Sequence, residues 1–113
     1  MKVDVLFVGM RVRDFAMANA WYQRFFARPA DIVADDEEVM WQLTGGGWLY
    51  IVREGDPGGG LAALAVPDLE AAVAELAARD VVAGPIESEG DAGRKSIVID
   101  PDGNSLALVE VTG

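Results

Sequence analysis

The chain has 113 residues, 51% of them hydrophobic and 25% charged, which is the composition of a single folded domain. The absence of cysteine excludes disulfides, and the absence of histidine excludes serine–histidine triads. The net charge of −10 disfavours binding to nucleic acid. No apolar run approaches the roughly 18 residues of a membrane span, and charges interrupt the N-terminal apolar run before a signal peptide could form. We therefore expect a cytoplasmic protein that does not bind membranes.

The first half of the chain predicts a strand, a helix and three further strands. Residues 3–12 are largely apolar and β-branched, which favours a strand. Asp14 supplies an N-cap for a helix that extends to about Phe26, with apolar residues at helical spacing. The glycines at 45–47 are expected to form a hairpin that uses the positive φ glycine permits. The three further strands are predicted at residues 30–34, 39–43 and 48–52.

A glycine-rich segment, residues 55–60, has no apolar side chain to bury and predicts a flexible linker. After it the same order begins again, with a strand at 61–66, Asp68 as a second N-cap and a helix at 69–78. Residues 100–104 read Asp-Pro-Asp-Gly-Asn and predict the turn of the last hairpin. Strands are predicted at residues 82–84, 85–88, 95–99 and 105–111.

The two halves of the chain align with each other. Placing Phe7 over Leu61 superposes Asp14 on Asp68, so that the ends of strands and the helix caps coincide. This repeat predicts one α+β domain built from two β-α-β-β-β modules. The modules span residues 1–54 and 61–113, with the linker at residues 55–60.

Three motifs carry a resemblance to a known family. The first is VGMRVRDF at 8–15 followed by Trp-Tyr at 21–22, the second LAVPDLEAA at 64–72, and the third DPDGN at 100–104 leading into the strand at 106–110. With these motifs the whole chain resembles the vicinal-oxygen-chelate superfamily, which includes glyoxalase I, extradiol dioxygenases and bleomycin resistance proteins. The resemblance implies that the two modules form a curved mixed sheet, with helices outside and a cup-shaped ligand cavity within. It also implies a homodimer, commonly with modules paired across the two chains.

Enzymes of that superfamily chelate a divalent metal through residues on four strands. The resemblance places these positions at Phe7, Leu61 and Ala107, and at or beside Tyr50. Hydrocarbon offers no lone pair and a neutral phenol is a poor ligand, so we expect neither a metal site nor another cofactor. Glu110 does not replace Ala107, because a separation of three residues in a strand places it on the opposite face.

Apolar and aromatic side chains are expected to line the cup instead. Alternation places Phe7 and Arg11 on one face of the first strand, and Trp48 and Tyr50 on one face of the fourth, with Trp41 on the neighbouring strand. Such a cavity suits a flat aromatic or a cationic molecule held by stacking, although the aromatics also suit a core or a dimer interface. The predicted ligand-binding residues are Phe7, Arg11, Trp41, Trp48, Tyr50, Leu61 and Ala107.

These features favour a metal-free protein that sequesters or carries an aromatic or hydrophobic natural product, similar to the antibiotic-resistance branch of the superfamily. Arg94 is a second cation that could pair with a ligand oxygen. The acidic run at residues 35–38 predicts a solvated loop or, alternatively, a counter-charge for a basic ligand. No catalytic residue is assigned. Two alternatives remain open: a metal-independent lyase or isomerase that uses a carboxylate such as Glu87 or Glu89, and a ligand-free dimeric interaction module.

Overall fold

The computed structural model describes residues 1–111, which form two α-helices, one short 3-10 helix (Gly90–Ala92) and two mixed four-stranded sheets. The first module contains β1 (Leu6–Arg11), α1 (Phe15–Phe26), β2 (Ile32–Asp35), β3 (Glu38–Thr44) and β4 (Gly47–Val52). The second contains β5 (Leu61–Ala65), α2 (Leu69–Ala78), β6 (Glu87–Ser88), β7 (Arg94–Ile99) and β8 (Ser105–Glu110). The predicted α+β class with two β-α-β-β-β modules is confirmed. Residues 112 and 113, which the prediction included in the second module, lie outside the described residues.

The two sheets have the same topology. Their strand orders are β1-β4-β3-β2 and β5-β8-β7-β6, and in each the first strand pairs in parallel with the last while the other pairs are antiparallel. A parallel pair needs a crossover connection, which α1 and α2 each begin. Each sheet therefore has a helix face, packed against the helices, and an open face on its other side. Strands β1 and β5 lie at sheet edges.

Both helices begin where the sequence predicts. The carboxylate of Asp14 accepts a hydrogen bond from the backbone N–H of Met17 at 3.0 Å, and that of Asp68 accepts one from Ala71 at 3.1 Å. These bonds satisfy amide groups that the first turn of a helix leaves without partners. Helix α1 ends at Ala27, which adopts a left-handed conformation with φ of 61°. Within residues 1–111, no helix is long and apolar enough to cross a membrane.

The helix faces of both sheets share one hydrophobic core. Trp21, Tyr22 and Phe25 of α1 belong to the same buried cluster as Leu106 and Leu108 of β8. The two modules are therefore joined through their helix sides, which leaves both open faces without a covering layer in this protomer.

The turn at residues 100–104 is a second junction between the modules. Buried Asp100 accepts hydrogen bonds from the backbone N–H groups of Asp102 and Asn104 and from the side-chain amide of Asn104. Its carboxylate also accepts a hydrogen bond from the hydroxyl of Tyr22 on α1 at 2.7 Å. The Asn104 amide donates in addition to the carbonyl of Arg11 at 2.9 Å, so the turn holds both α1 and the end of β1.

The glycine-rich linker is docked onto both modules, which differs from the flexible span that its composition predicts. The N–H of Gly58 donates to the carbonyl of Arg11, and the N–H of Gly60 donates to the side chain of Asn104. A Cβ on Gly60 would lie 2.5 Å from the sulfur of Met10, so the chain passes there only because glycine has no side chain.

Three further details differ from the sequence prediction. Strand β1 begins at Leu6, and no strand forms at residues 82–84, within the part of the chain that is described. Residue Gly84 nevertheless lies beside β7, since its N–H donates to the carbonyl of Ile97. The glycines at 45–47 do not adopt positive φ, so glycine's left-handed conformation is not what makes this turn.

Candidate functional site

The open face of the first sheet carries three rows of side chains, set by the strand register. Successive residues of a strand point to opposite faces, so directly paired residues share a face. From β1 across β4 to β3, the rows are Phe7–Trp48–Gln42, Gly9–Tyr50–Met40 and Arg11–Val52–Glu38. Four of the predicted ligand-binding residues therefore lie together on this face: Phe7, Arg11, Trp48 and Tyr50.

The first row is aromatic and accessible. The rings of Phe7 and Trp48 stack with 6.2 Å between their centroids and 27° between their planes. Phe7 is 52% exposed and Trp48 is half-buried. This accessible aromatic pair offers an apolar surface that a ligand or a partner can contact.

Arg11 lies at the far end of β1 from Phe7. Its guanidinium faces Gly55 of the linker, where a Cβ would lie 3.6 Å from the guanidinium carbon. Among residues 1–111 its side chain has neither a hydrogen bond nor an ion pair, so its donors are available to a ligand. Glu38 lies on the same row two strands away, roughly 10 Å from Arg11 at the usual strand spacing.

The open face of the second sheet carries two more of the predicted residues, Leu61 and Ala107. Leu61 begins β5 and is 73% exposed, whereas Ala107 in the middle of β8 is buried between Ala63 and Ile97. Neighbouring residues on this face are small (Ala63), branched (Ile97, Ile99 and Val109) and charged (Lys95).

The registers show that Tyr50 and Ala107 are equivalent positions in the two modules. Phe7 pairs with Trp48, two residues before Tyr50, and Leu61 pairs with Ser105, two residues before Ala107. The four positions that the resemblance assigns to metal ligands are thus two equivalent pairs, all on open faces.

The residues at these four positions do not fit a divalent metal. They offer one phenol hydroxyl and otherwise only hydrocarbon, whereas protein metal sites use imidazole, thiolate or carboxylate donors. Glu110 lies on the helix face, as strand alternation predicts, where its carboxylate accepts a hydrogen bond from the N–H of Leu69 at the start of α2. Within residues 1–111, no group of three or more acidic, histidine or cysteine side chains is placed to hold a metal ion.

An apolar groove of about 400 Å³ lies between the two sheets of the protomer. It is lined by residues of β1, β3, β4 and β5, among them Leu6, Leu43, Trp48 and Leu61. The groove brings together only two of the predicted ligand-binding residues, Trp48 and Leu61.

Trp41 does not lie on the open face, contrary to the sequence prediction. Its side chain is fully buried on the helix face, where its ring packs against Tyr22 and Phe26 of α1. Its indole N–H donates to the carbonyl of Arg28 at 3.0 Å, which satisfies the one polar atom of the ring. Trp41 is therefore part of the core.

A bulge in the β3–β4 hairpin accounts for this placement. Thr44 pairs with Gly47, but Gln42 rather than residue 43 pairs with Trp48. One inserted residue moves every preceding residue of the strand to the other face. Without the bulge, Trp41 would share the open face with Trp48. Because of the bulge, Gln42 lies on the open face instead of Trp41. Regular alternation counted from the hairpin turn would place Gln42 on the helix face.

The remaining charged candidates are arranged differently from the predictions. Arg94 is on the helix face, where it pairs with Glu70 and Glu110, so it is not available to a ligand on the open face. The acidic run at 35–38 is a tight turn whose ends belong to β2 and β3, rather than a loop. Glu89, a candidate base, forms an ion pair with Lys95.

Comparison with known proteins identifies the family. A family model described as the glyoxalase/bleomycin resistance protein/dioxygenase superfamily matches residues 5–108. The crystal structure of a glyoxalase/bleomycin resistance protein from Catenulispora acidiphila DSM 44928 is 35% identical, with a TM-score of 0.88 over 96% of this chain and 98% of that one. No curated protein matches the chain.

Two more distant structures share the fold. The bleomycin resistance determinant encoded on transposon Tn5 is 19% identical, with a TM-score of 0.80 over 97% of this chain and 99% of that one. The antibiotic-binding protein TnmS3 from Streptomyces sp. CB03234 is 21% identical, with a TM-score of 0.76 over 96% and 95%. Taken with the match of the family model over nearly the whole chain, the protein belongs to the glyoxalase/bleomycin resistance protein/dioxygenase superfamily.

Proposed function

We propose that this protein is a metal-independent, cytoplasmic homodimer that sequesters or carries an aromatic or hydrophobic natural product. The observation that carries the proposal is the stacked, accessible Phe7–Trp48 pair on an open sheet face whose metal positions lack metal-binding side chains. A structural relative described as antibiotic-binding and another described as a bleomycin resistance determinant support the same class of function.

The ligand contacts that we propose are stacking on the first row and polar contacts at the other end of β1. An aromatic pair contributes about 0.5–1.5 kcal/mol beyond the area it buries, and a cation above a ring makes a comparable contribution. Arg11, whose side chain has no partner among residues 1–111, would then bind a carbonyl or carboxylate of the ligand. Leu61 and Ala107 would supply an apolar wall from the second sheet.

The two uncovered faces support the proposed homodimer. Leu61 and Phe7 are far more exposed than large apolar side chains usually are, and β1 and β5 are unpaired edge strands. Because the modules join through their helix sides, the open face of the first sheet cannot close against the second within this arrangement. We infer that it faces the second module of a partner chain.

A fluorescence titration tests ligand binding. The chain has three tryptophans, and only Trp48 lies on an open face, since Trp21 and Trp41 belong to the core. We expect planar aromatic natural products to quench Trp48 emission equally well with and without a metal chelator. Trp48→Phe should lose the quenching, whereas Trp41→Phe, the matched control, should retain it.

Three results would contradict the proposal. The absence of binding to any aromatic compound would favour the ligand-free interaction module. A requirement for a divalent metal would show that the four open-face positions do not determine metal dependence. Turnover of a bound compound in chelated buffer, lost in Glu87→Gln, would favour the lyase or isomerase.

Mixing two variants tests the pairing of modules across chains. Trp48→Ala damages the first module and Ala63→Glu places a charge on the open face of the second. If each site combines modules from two chains, a heterodimer of the two variants has one intact site, and mixing restores binding. If modules pair within a chain, both sites stay damaged and mixing restores nothing. Sedimentation should first show a particle of twice the 12.0 kDa chain mass.

A further inference from the structure

Tyr50 lies flat on the backbone of the neighbouring strand at Gly9. The two residues are direct partners in the parallel β1–β4 pair. A Cβ built on Gly9 would lie 2.3 Å from Cζ of Tyr50, 2.5 Å from its hydroxyl oxygen and 2.7 Å from Cε2. No side chain tolerates such distances, so the ring occupies the space that any residue other than glycine would fill.

The backbone conformation does not explain why residue 9 is glycine. Gly9 is not among the glycines with positive φ, and it lies inside a strand, where glycine is less favourable than alanine. Glycine inside a strand commonly marks a place where another group approaches the backbone closely, and an aromatic ring over a strand glycine is a known stabilising arrangement. The tyrosine ring is that group here.

The position of the ring determines the shape of the open face. A side chain in a strand usually stands roughly perpendicular to the sheet, and a perpendicular Tyr50 would divide the face in two. Lying on Gly9, the ring instead forms a floor between the Phe7–Trp48 row and Arg11. The α carbons of residues 7 and 11 are roughly 13 Å apart along the strand, which is room for a fused three-ring system.

Two polar groups lie at the edge of this floor, the Tyr50 hydroxyl and the Arg11 guanidinium. The Tyr50 hydroxyl has no hydrogen bond to any of residues 1–111, and the same holds for the Arg11 guanidinium. Both can donate to an oxygen on the ligand. The overall negative charge opposes anions only weakly at this contact, because salt screens charges beyond about 8 Å at physiological ionic strength.

We propose that Gly9 is a specificity-determining residue: by letting Tyr50 lie flat, it selects planar fused-ring ligands that carry a carbonyl or carboxylate at the Arg11 end. This inference rests on the proposed ligand-binding function and names the class of ligand. Folded or branched molecules of the same size would lose contact with the floor.

Two compounds that differ in planarity test the inference. Anthracene-2-carboxylate is flat, whereas 9,10-dihydroanthracene-2-carboxylate has the same carbon skeleton folded about its central ring. We expect the wild-type protein to bind the flat acid at least tenfold more tightly. Gly9→Ala should lift the Tyr50 ring and abolish most of this preference. Arg11→Gln should weaken the flat acid more than 2-anthracenemethanol, its neutral counterpart.

A double-mutant cycle separates the effect on Tyr50 from a general loss of folding. Tyr50→Ala removes the ring, so it should bring the two acids to within about threefold of each other. Adding Gly9→Ala to Tyr50→Ala should then change either affinity by less than twofold, because no ring remains to be displaced. Circular dichroism of each variant identifies those that are folded, and Tyr50→Ala tests the floor even if Gly9→Ala does not fold.

The outcomes distinguish this inference from the function on which it rests. Equal binding of flat and folded acids by the wild-type protein overturns the role of Gly9 and leaves ligand binding intact. The same holds if Gly9→Ala weakens binding equally with and without Tyr50. If the wild-type protein binds neither acid nor any other ring compound, the proposed function itself is overturned.

Discussion

Removal of the Tyr22 hydroxyl tests the junction between the modules. The hydroxyl donates a 2.7 Å hydrogen bond to Asp100, whose side chain is almost wholly buried and otherwise depends on three donors of its own turn. Tyr22→Phe keeps the ring in the core and removes only this donor. The buried carboxylate then has one acceptor site without a partner.

The expected loss is large for a single atom. A hydrogen bond to a charged group contributes about 1.5–3 kcal/mol, and an unsatisfied buried acceptor costs a similar amount. At about 4 °C per kcal/mol for a domain of this size, the melting temperature should fall by roughly 6–12 °C. The change in stability should appear in the urea midpoint at constant slope, which shows that the unfolded state is unaffected.

The chain contains a matched control for this experiment. Tyr50, the other tyrosine, has a hydroxyl without a hydrogen bond to residues 1–111, so Tyr50→Phe should change stability by less than about 0.5 kcal/mol. All variants must be compared at one protein concentration, because formation of the proposed dimer would contribute to stability. If Tyr22→Phe and Tyr50→Phe behave alike, the Tyr22–Asp100 bond does not hold the modules together.

The remaining predictions concern pH and helix caps. Burial and the neighbouring Asp100 raise the pKa of Tyr22 above its usual value near 10, so the stabilisation by its hydroxyl is present below pH 10 and lost as pH rises. In urea titrations above pH 10, the difference in unfolding free energy between the wild-type protein and Tyr22→Phe should therefore decrease. A difference that stays constant contradicts this. A hydrogen bond from the Leu69 N–H and, to a smaller extent, the pairing with Arg94 lower the pKa of Glu110. The stabilisation by its carboxylate is therefore present at neutral pH and lost as pH falls below the usual carboxyl range. Glu110→Gln should lower the free energy of unfolding at pH 7 and have less effect at pH 3. Loss of either helix cap, by Asp14→Ala or Asp68→Ala, should cost about 1 kcal/mol in urea unfolding, and an unchanged midpoint would show that the cap is dispensable.

Local patterns predicted the secondary structure more reliably than they predicted its contacts. The two caps and the two helices are where the sequence places them, because a cap and an amphipathic face depend on residues within a few positions of each other. The predicted strand at 82–84 did not form, although Gly84 still bonds to β7. Strand formation there depends on a partner distant in sequence, which composition does not reveal.

The face on which each site residue lies was predicted from the alternation of side chains along its strand. This prediction is correct only for strands without a bulge. On β1 and β4 alternation correctly grouped Phe7, Trp48 and Tyr50 on one face. On β3 one bulged residue moved Trp41 into the core. Neither the bulge nor the contact between Tyr50 and Gly9 has a sequence signal, because each is set by how neighbouring strands meet.

The sequence by itself determined the duplicated α+β architecture, the helix caps and the absence of metal-binding side chains at the four family positions. Those properties depend on residue type, on spacing within a segment and on the repeat of one half in the other. Only the tertiary structure decided which face Trp41 occupies, that the turn at 100–104 joins the modules, and that Tyr50 rests on Gly9. These depend on strand register and on contacts between residues far apart in the chain, where a shift of one residue exchanges the two faces of a strand.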